Sequence, residues 1–348
     1  MRLIENLSVL SIEDFLTQPR TWDIFISCGS FEERCKRSSD IFLDKKVEIG
    51  TSIIFNYKET DPENKKEENI REMKSNLEQF CKCVHIFDTE SVSLPSEGIK
   101  KFLMFLKEKN IDLLNKRIIT DITVFTKGYF FLLFKVLKEK LNLQEFYVAY
   151  TEPEKYKSKN TDKNEIILTE GLDRVESIPG FAGSSINSED ALIVILGFEG
   201  KRSIEVFNSV NPKLTYAVNG FPSFHPEWHK VSLEANLPFL QASGASEHLF
   251  FAPAADPFET RNTVSQIVEE IEKDNKNTNI IISPLGTKLQ AFGVLLYVLR
   301  NKKIKVIYPF PSFYKADYSY KYGPTWIFKI NLDGLGGNNE NRTTCCHP

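Results

Sequence analysis

The sequence lacks a long uninterrupted hydrophobic run. Even the apolar stretch from Tyr129 to Phe134 ends at Lys135, well short of the ~18 apolar residues that a membrane span needs. The first residues carry acids within their apolar part, unlike the basic lead and continuous apolar segment of a signal peptide. We therefore expect a soluble, cytoplasmic protein without a membrane partner.

Cysteines in the paired spacing of a structural zinc site are also missing. The cysteines are scattered as Cys28, Cys35, Cys81, Cys83, Cys345 and Cys346. Reduced thiols are expected, and neither a metal nor a cofactor is predicted. Cys28 is interpreted as a small buried hydrophobe, with a nucleophilic thiol as the alternative. Because the net charge is only -3, a polymeric nucleic acid is not an expected partner, although a local basic pocket is compatible with this charge.

What the sequence does contain is a repeat, visible as four landmarks that recur in the same order. Each copy has a hydrophobic strand followed by Gly, Phe-Glu and Arg, then a second strand that ends in Asn. The first landmark spans 23–34 and 191–202, and the second spans 52–56 and 215–219. Each second landmark is followed by a Pro-Glu pair that suits a helix start, at 62–63 and 226–227. Asn-Leu then recurs along that helix, at Asn76-Leu77 and Asn236-Leu237.

The third landmark is a strand, a polar turn that ends in Thr-Lys, and an apolar helix. The fourth is a strand that carries Tyr-x-x-Pro-x-x-Tyr. These landmarks span 117–127 and 279–288, and 150–156 and 308–314. The offset between copies stays nearly constant, since it is 167 residues for Phe31 and Phe198 and 158 for Tyr150 and Tyr308. The sequence therefore indicates an internal duplication.

Each copy alternates strands rich in Ile, Val and Phe with amphipathic stretches such as 99–109 and 263–273. This alternation predicts an α/β protein of two tandem Rossmann-like lobes, each with a mainly parallel sheet flanked by helices and related by a pseudo-two-fold axis. The 348 residues suffice for two such units. We predict an N-terminal lobe over 1–180, a C-terminal lobe over 188–332 and a flexible tail over 333–348.

The Thr-Lys turns are the best candidates for ligand binding, because ligands of parallel sheets bind where strands end and helices begin. A hydroxyl and an ammonium at a helix N-terminus suit a phosphate or another anion. The candidates are Thr126 and Lys127 in the first copy, and Gly286, Thr287 and Lys288 in the second. The alternative is that both threonines only cap their helices and the lysines are solvated.

The turns in which Phe-Glu is followed by Arg, after one residue in the first copy and two in the second, offer a second set of candidates. Glu32 with Arg34, and Glu199 with Arg202, could hold a base edge, a ribose or a phosphate, or could form local ion pairs that brace the turn. Tyr156 and Tyr314 are candidate stacking rings, with closure of each sheet as the alternative. A metal site at His225 and His229 is disfavoured, because His225 aligns with Asp61 at a capped helix start.

With these turns placed, the chain resembles the CRISPR-associated Rossmann-fold domains of prokaryotic defence. The resemblance lies in Leu285-Gly-Thr-Lys288, which is similar to the Thr-Gly-Gly-Thr-Lys turn of that family, and in the looser Asp121-Ile-Thr-Val-Phe-Thr-Lys127. It implies two paired domains around a cyclic oligonucleotide or a related signal. It also implies an output that comes from a partner effector or from the lobes themselves.

Three hypotheses follow. The first is a nucleotide sensor or regulatory subunit in anti-phage defence, in which a phosphorylated ligand with two similar ends bridges the lobes and closure of the lobes is the signal. The second is an enzyme acting on nucleotides or nucleosides, of the nucleosidase or transferase type, with Glu199 or Asp256 as nucleophile or base. The third is a scaffold subunit of a defence complex.

Overall fold

The computed structural model describes residues 9–11, 21–58, 64–141, 145–156, 166, 168–184, 189–314 and 319–331. The expected helix start at 61–63 and the expected tail at 333–348 lie outside the described residues. Within them, no helix is long and apolar enough to cross a membrane.

The first half of the chain builds one set of alternating strands and helices. In order these are β1 (Val9–Ser11), β2 (Thr21–Cys28), a 3₁₀ turn (Glu33–Lys36), α1 (Arg37–Asp44), β3 (Glu48–Asn56), α2 (Lys65–Leu77), β4 (Cys81–Asp88), α3 (Pro95–Glu108), β5 (Ile118–Asp121), α4 (Lys127–Leu141), β6 (Glu145–Tyr156), β7 (Thr169–Glu170) and β8 (Arg174–Ser177).

The second half repeats the pattern. It forms β9 (Glu189–Ile195), α5 (Gly200–Val210), β10 (Leu214–Gly220), α6 (Trp228–Ser243), β11 (Leu249–Ala252), α7 (Pro257–Asp274), β12 (Thr278–Pro284), α8 (Lys288–Val298), β13 (Lys305–Phe310), β14 (Phe313–Tyr314) and β15 (Ser319–Asn331). The helices predicted at 99–109 and 263–273 correspond to α3 and α7. Both begin earlier than predicted, at a proline that is well suited to a first helical turn.

Five parallel strands form the centre of each sheet, in the same order in both lobes. The first lobe has the order β4-β3-β2-β5-β6 and the second has β11-β10-β9-β12-β13. Counted along each half of the chain, both are the Rossmann order 3-2-1-4-5. The expected duplicated α/β architecture is therefore confirmed. In this order the chain reverses direction across the sheet between the first and fourth strands, which is where such sheets bind ligands.

The lobes exchange their last strands. β15 follows the central strands of the second lobe but pairs antiparallel with β6 of the first, and β8 pairs antiparallel with β13 of the second. Between the sheets, β7 pairs with β14. The predicted ranges 1–180 and 188–332 describe the two halves of the chain. They do not describe the two sheets, because the final strand of each half pairs with an edge of the other half's sheet.

The two lobes also share one hydrophobic core, which includes buried side chains from both sheets. The equivalent helices α4 and α8 meet at its centre, where the rings of Phe134 and Phe292 lie 5.3 Å apart in an edge-to-face arrangement. Lys138 Nζ adds a 2.7 Å hydrogen bond to the backbone oxygen of Leu299. Burial of one such ring contributes about 1.5–3 kcal/mol, so separating the lobes would expose a substantial part of the core.

Candidate functional site

The turns at the carboxyl ends of the central strands enclose a cavity of about 140 Å³ between the lobes. In each lobe it lies at the reversal point of the sheet, between the turn after the first strand and the turn after the fourth. Of the predicted binding residues, those that line it are Glu32, Arg34, Thr126, Lys127, Tyr156, Glu199, Arg202, Gly286, Thr287 and Lys288. Tyr314 belongs to β14, but its side chain lies outside the described residues.

Lys127 and Lys288 occupy equivalent positions, since each is the first residue of its helix. Lys127 Nζ donates a 2.8 Å hydrogen bond to the backbone oxygen of Gly286 in the opposite lobe. The same ammonium lies 5.5 Å from the centre of the Tyr308 ring, within the range of a cation–π interaction. The two Thr-Lys turns are therefore in direct contact.

Both lysines have depressed pKa values. Burial and the neighbouring Lys288 lower the pKa of Lys127 to about 7, against a smaller opposing effect from Glu199. Burial and Arg34 lower the pKa of Lys288 to about 8, with Glu32 opposing. The pKa of each lysine is thus affected by a charged residue in the Phe-Glu turn of the other lobe. The cavity concentrates positive charge that its own carboxylates only partly balance, and this favours binding of an anion.

The two threonines differ in their hydrogen bonding. Thr287 caps α8, because its hydroxyl accepts from Gln290 N at 3.1 Å and donates to the backbone oxygen of Ala254 at 2.7 Å. For Thr287 the simple cap interpretation therefore describes what the structure shows. Thr126 Oγ1 is buried and makes no comparable capping bond among the described residues. The Tyr57 hydroxyl, which accepts from the Thr126 backbone nitrogen at 3.4 Å, lies beside it.

In the first lobe the Phe-Glu turn contains a buried ion pair. Arg34 Nε lies 2.8 Å from Glu32 Oε2, and its Nη1 donates to the backbone oxygen of Thr151 at 3.1 Å. Glu32 also accepts a 2.5 Å hydrogen bond from Ser319, in the exchanged strand β15. Although burial would raise it, Arg34 and Lys288 together lower the pKa of Glu32. This turn is therefore braced internally, as the ion-pair alternative predicted.

In the second lobe the same two positions hold the connecting segment between the lobes. Glu199 Oε1 accepts hydrogen bonds from the backbone nitrogens of Leu168 and Thr169 and, at 2.7 Å, from the Thr169 hydroxyl. Arg202 donates to the Thr169 hydroxyl at 2.8 Å and to the backbone oxygen of Gly171 at 2.5 Å. The ion pair of Arg202 is made with Glu205 rather than with Glu199. Leu168 and Thr169, held in this way, form part of the cavity wall.

Asp256 does not line the cavity. Its carboxylate caps α7 by accepting from the backbone nitrogens of Phe258 and Glu259. The carboxylate of Asp256 caps the first turn of this helix, and it does not belong to the candidate site. The predicted alternative role for Cys28 also lacks support, because this thiol is buried in the core. Among the described residues, no group of three or more His, Cys, Asp or Glu side chains is arranged to hold a metal ion.

A second, smaller cavity of about 70 Å³ adjoins the first in the second lobe, and we call it the annex. The two cavities share walls that include Tyr156, Leu168 and Gly286. Tyr156, Phe198 and Trp228 form an aromatic cluster on the annex, with ring centres 4.9–5.7 Å apart. Trp228 and Gly220 were not predicted as site residues. The sequence signal for Gly220 was the position after the Asn of the second landmark, where one copy has Tyr57 and the other Gly220.

Gly286 has a packing role as well as a place in the wall. A side chain there would have its Cβ 2.5 Å from the Gln290 Oε1 and 2.9 Å from Ile195, so only glycine fits. The turn after β9 approaches just as closely, since a Cβ on Gly197 would lie 2.4 Å from the backbone oxygen of Leu285. These close approaches hold the two ligand-facing turns of the second lobe together.

No protein-family model matches the chain, and a search of curated proteins finds no similar sequence. The functional argument therefore depends on the geometry of the two cavities.

Proposed function

We propose that this chain is a sensor that binds a phosphorylated small molecule of the nucleotide class in the cavity between its lobes. The observation that carries the proposal is the pair Lys127 and Lys288. The duplication brings these equivalent lysines from separate lobes to one cavity, where burial lowers both pKa values. Two such ammonium groups are stabilised when an anion lies between them.

The charge of the cavity supports an anionic ligand. Four cationic and two anionic side chains line it, and both carboxylates are already engaged, Glu32 by Arg34 and Glu199 by the segment at 168–169. The lysines are the charges with the least compensation. A phosphate group would add the missing negative charge and could accept a hydrogen bond from the Thr126 hydroxyl.

The size of the cavity bears on how ligand binding would produce a signal. At about 140 Å³ it is comparable to a cavity that holds one benzene molecule, at roughly 150 Å³. A phosphate group fits this space, whereas a whole nucleotide would extend beyond it, and we propose that this extension changes how the lobes meet. Such a change is what an effector protein would detect. A role in prokaryotic anti-phage defence follows from the resemblance of the Thr-Lys turns and is part of the proposal.

Sensing is favoured over catalysis because both carboxylate candidates already have structural roles. Oε1 of Glu199 accepts three hydrogen bonds from the 168–169 segment, and the second candidate, Asp256, caps a helix away from the cavity.

Calorimetric titration with sulfate, inorganic phosphate and nucleoside monophosphates tests the proposal. We expect binding that is lost in Lys288→Met and kept in Lys276→Met, a matched change at an exposed lysine in the turn before β12. Absence of binding by every anion, or binding of the same strength in both variants, would contradict the proposal. Turnover of a nucleotide that Glu199→Gln abolishes would favour the enzyme instead.

A further inference from the structure

We infer that the ligand has one phosphate end and one planar ring, with the phosphate between Lys127 and Lys288 and the ring in the annex of the second lobe. This inference rests on the proposed function. It narrows the ligand to an asymmetric molecule with a single base, such as a nucleoside monophosphate. It differs from the sequence-based expectation of a ligand with two similar ends.

Aromatic side chains line the annex, which at about 70 Å³ is smaller than a cavity that holds one benzene molecule, so a base must widen it to enter. Phe198 and Trp228 stand nearly perpendicular to each other, with ring centres 5.7 Å apart, and Tyr156 lies 4.9 Å from Trp228. Aromatic walls bind bases through their faces, largely independently of base identity. Polar side chains of Ser223 and Gln290 also line the annex and offer hydrogen bonds to the edge of a ring.

The annex adjoins the charged cavity, and the two share part of their walls. Gly197, Gly286 and Thr287 belong to the walls of both spaces. The turn that carries Lys288 is therefore the boundary between an aromatic chamber and a cationic one. A molecule that joins a ring to a phosphate through a short sugar-like spacer has this arrangement of chemistry.

In the first lobe the equivalent space is filled by side chains. Tyr57 follows Asn56 as Gly220 follows Asn219, and Tyr57 is 4% exposed. Phe125, at the position equivalent to Gly286, is fully buried, and its ring centre lies 6.4 Å from that of Tyr57. The Tyr57 hydroxyl also accepts from the backbone nitrogen of Thr126 at 3.4 Å.

A side chain of the adjacent helix also contacts Tyr57. Lys66 of α2 is buried and its Nζ donates to the backbone oxygen of Tyr57 at 2.7 Å. The duplication thus supplies two lysines for one anion but only one chamber for a ring. A ligand with two identical bases would have one base without a chamber.

Tryptophan fluorescence can follow the ring directly. Trp228 is one of three tryptophans. Among the described residues it is the only tryptophan that lines either cavity. We expect adenosine monophosphate to quench the fluorescence and ribose 5-phosphate to leave it nearly unchanged. The quenching should disappear in Trp228→Phe, and calorimetry should show weaker binding of adenosine monophosphate than in wild type, because the phenylalanine ring covers less of the base.

Gly220 allows the annex to be closed selectively. A Cβ at this position meets Ala254 at 3.4 Å and Gln290 at 3.5 Å, which are ordinary contacts, so Gly220→Ala is the matched control. Gly220→Leu extends the side chain among the annex walls. We expect it to weaken adenosine monophosphate at least tenfold, to the affinity of ribose 5-phosphate, and to change sulfate affinity less than twofold, which also shows that the variant is folded.

The outcomes separate this inference from the proposed function. If sulfate binds but Gly220→Leu leaves adenosine monophosphate affinity unchanged, the inference is wrong and the anion site stands. Equal and tight binding of cyclic di-adenosine monophosphate by wild type and Gly220→Leu would likewise overturn the single-ring ligand. If no anion binds at all, the proposed function itself fails.

Discussion

Lys127 Nζ in the first lobe donates a 2.8 Å hydrogen bond to the backbone oxygen of Gly286 in the second. This bond joins the two Thr-Lys turns of the cavity. The Lys127 ammonium has three N–H donors, so it can keep this bond while another N–H donates to a phosphate. Under the proposed function, a ligand bound at Lys127 would therefore contact a group that already joins the lobes.

We expect Lys288→Met to stabilise the free protein. The lowered pKa of Lys288, about 8, means that folding disfavours its charged form, and one pKa unit corresponds to roughly 1.4 kcal/mol. Removal of the charge should raise the free energy of unfolding at neutral pH by about 2 kcal/mol, as measured by urea denaturation without phosphate or sulfate. Lys276→Met, at an exposed position, should change it by less than about 0.5 kcal/mol. A marked loss of stability in Lys288→Met would show that this lysine is a structural group.

Stability of the free protein should rise with pH between about 7 and 10.4. Lysines have a pKa of about 10.4 in the unfolded chain, whereas Lys127 and Lys288 have values of about 7 and about 8 in the folded one. Across this window the unfolded state binds more protons, so raising the pH favours the folded state. Below the folded pKa values the full electrostatic penalty is present.

The pH series is read as a difference between two proteins, since other groups also titrate. The double variant Lys127→Met/Lys288→Met should show a flatter dependence of unfolding free energy on pH than wild type. Sulfate, which keeps its charge throughout this range, should bind the wild type more weakly as the pH rises through 7 to 8. Parallel stability curves for the two proteins would exclude a contribution from these lysines.

Matched changes at the equivalent arginines should have different effects. Arg34→Ala leaves the buried Glu32 without its ion-pair partner and removes the bond to Thr151, so we expect a loss of about 3–5 kcal/mol of stability. Arg202→Ala releases Thr169 and Gly171 while Glu199 still holds the same segment. Its expected effect is faster amide exchange around 168–171 with a smaller global loss. Hydrogen-exchange mass spectrometry and urea denaturation distinguish the two patterns, and equal global losses would contradict the assignment.

The exchange of strands predicts that neither half of the chain folds alone. A fragment of residues 1–184 lacks β15, which covers β6 over its length, and a fragment of residues 185–348 lacks β8. We expect each fragment to be largely unfolded or aggregated, and the two to recover native circular dichroism when refolded together. Independent cooperative unfolding of either fragment would show that the exchanged strand is dispensable.

The central strands could be predicted from sequence because their landmarks are local. A hydrophobic strand, its turn and the following helix occupy a dozen residues, so copies such as those at Phe31 and Phe198 are visible without a structure. The strand exchange could not be predicted in this way. Pairing of β15 with β6 depends on which sheet edge lies near Ser319 in space, and no local pattern encodes that distance.

The same distinction between local and long-range information applies to the candidate site. The turns with Lys127 and Lys288 were predicted because they end equivalent strands, and the structure brings them together, although what they bind stays a prediction. The annex was missed because its aromatic walls come from separate elements. The sequence alignment of Asn76 with Asn236 also gave an incomplete account of their contacts. Asn236 bonds both Ser203 and the backbone oxygen of Gly197, whereas the first lobe assigns these tasks to Asn76 and Asn69, which bond Asp40 and Ser30.

The exchanged strands also bear on how the protein unfolds. β15 belongs to the second half of the chain and pairs with β6 from Ser319 to Asn331, while β8 belongs to the first half and pairs with β13. Unfolding of either half would therefore withdraw a strand from the sheet of the other. We expect the two lobes to unfold together in one cooperative transition.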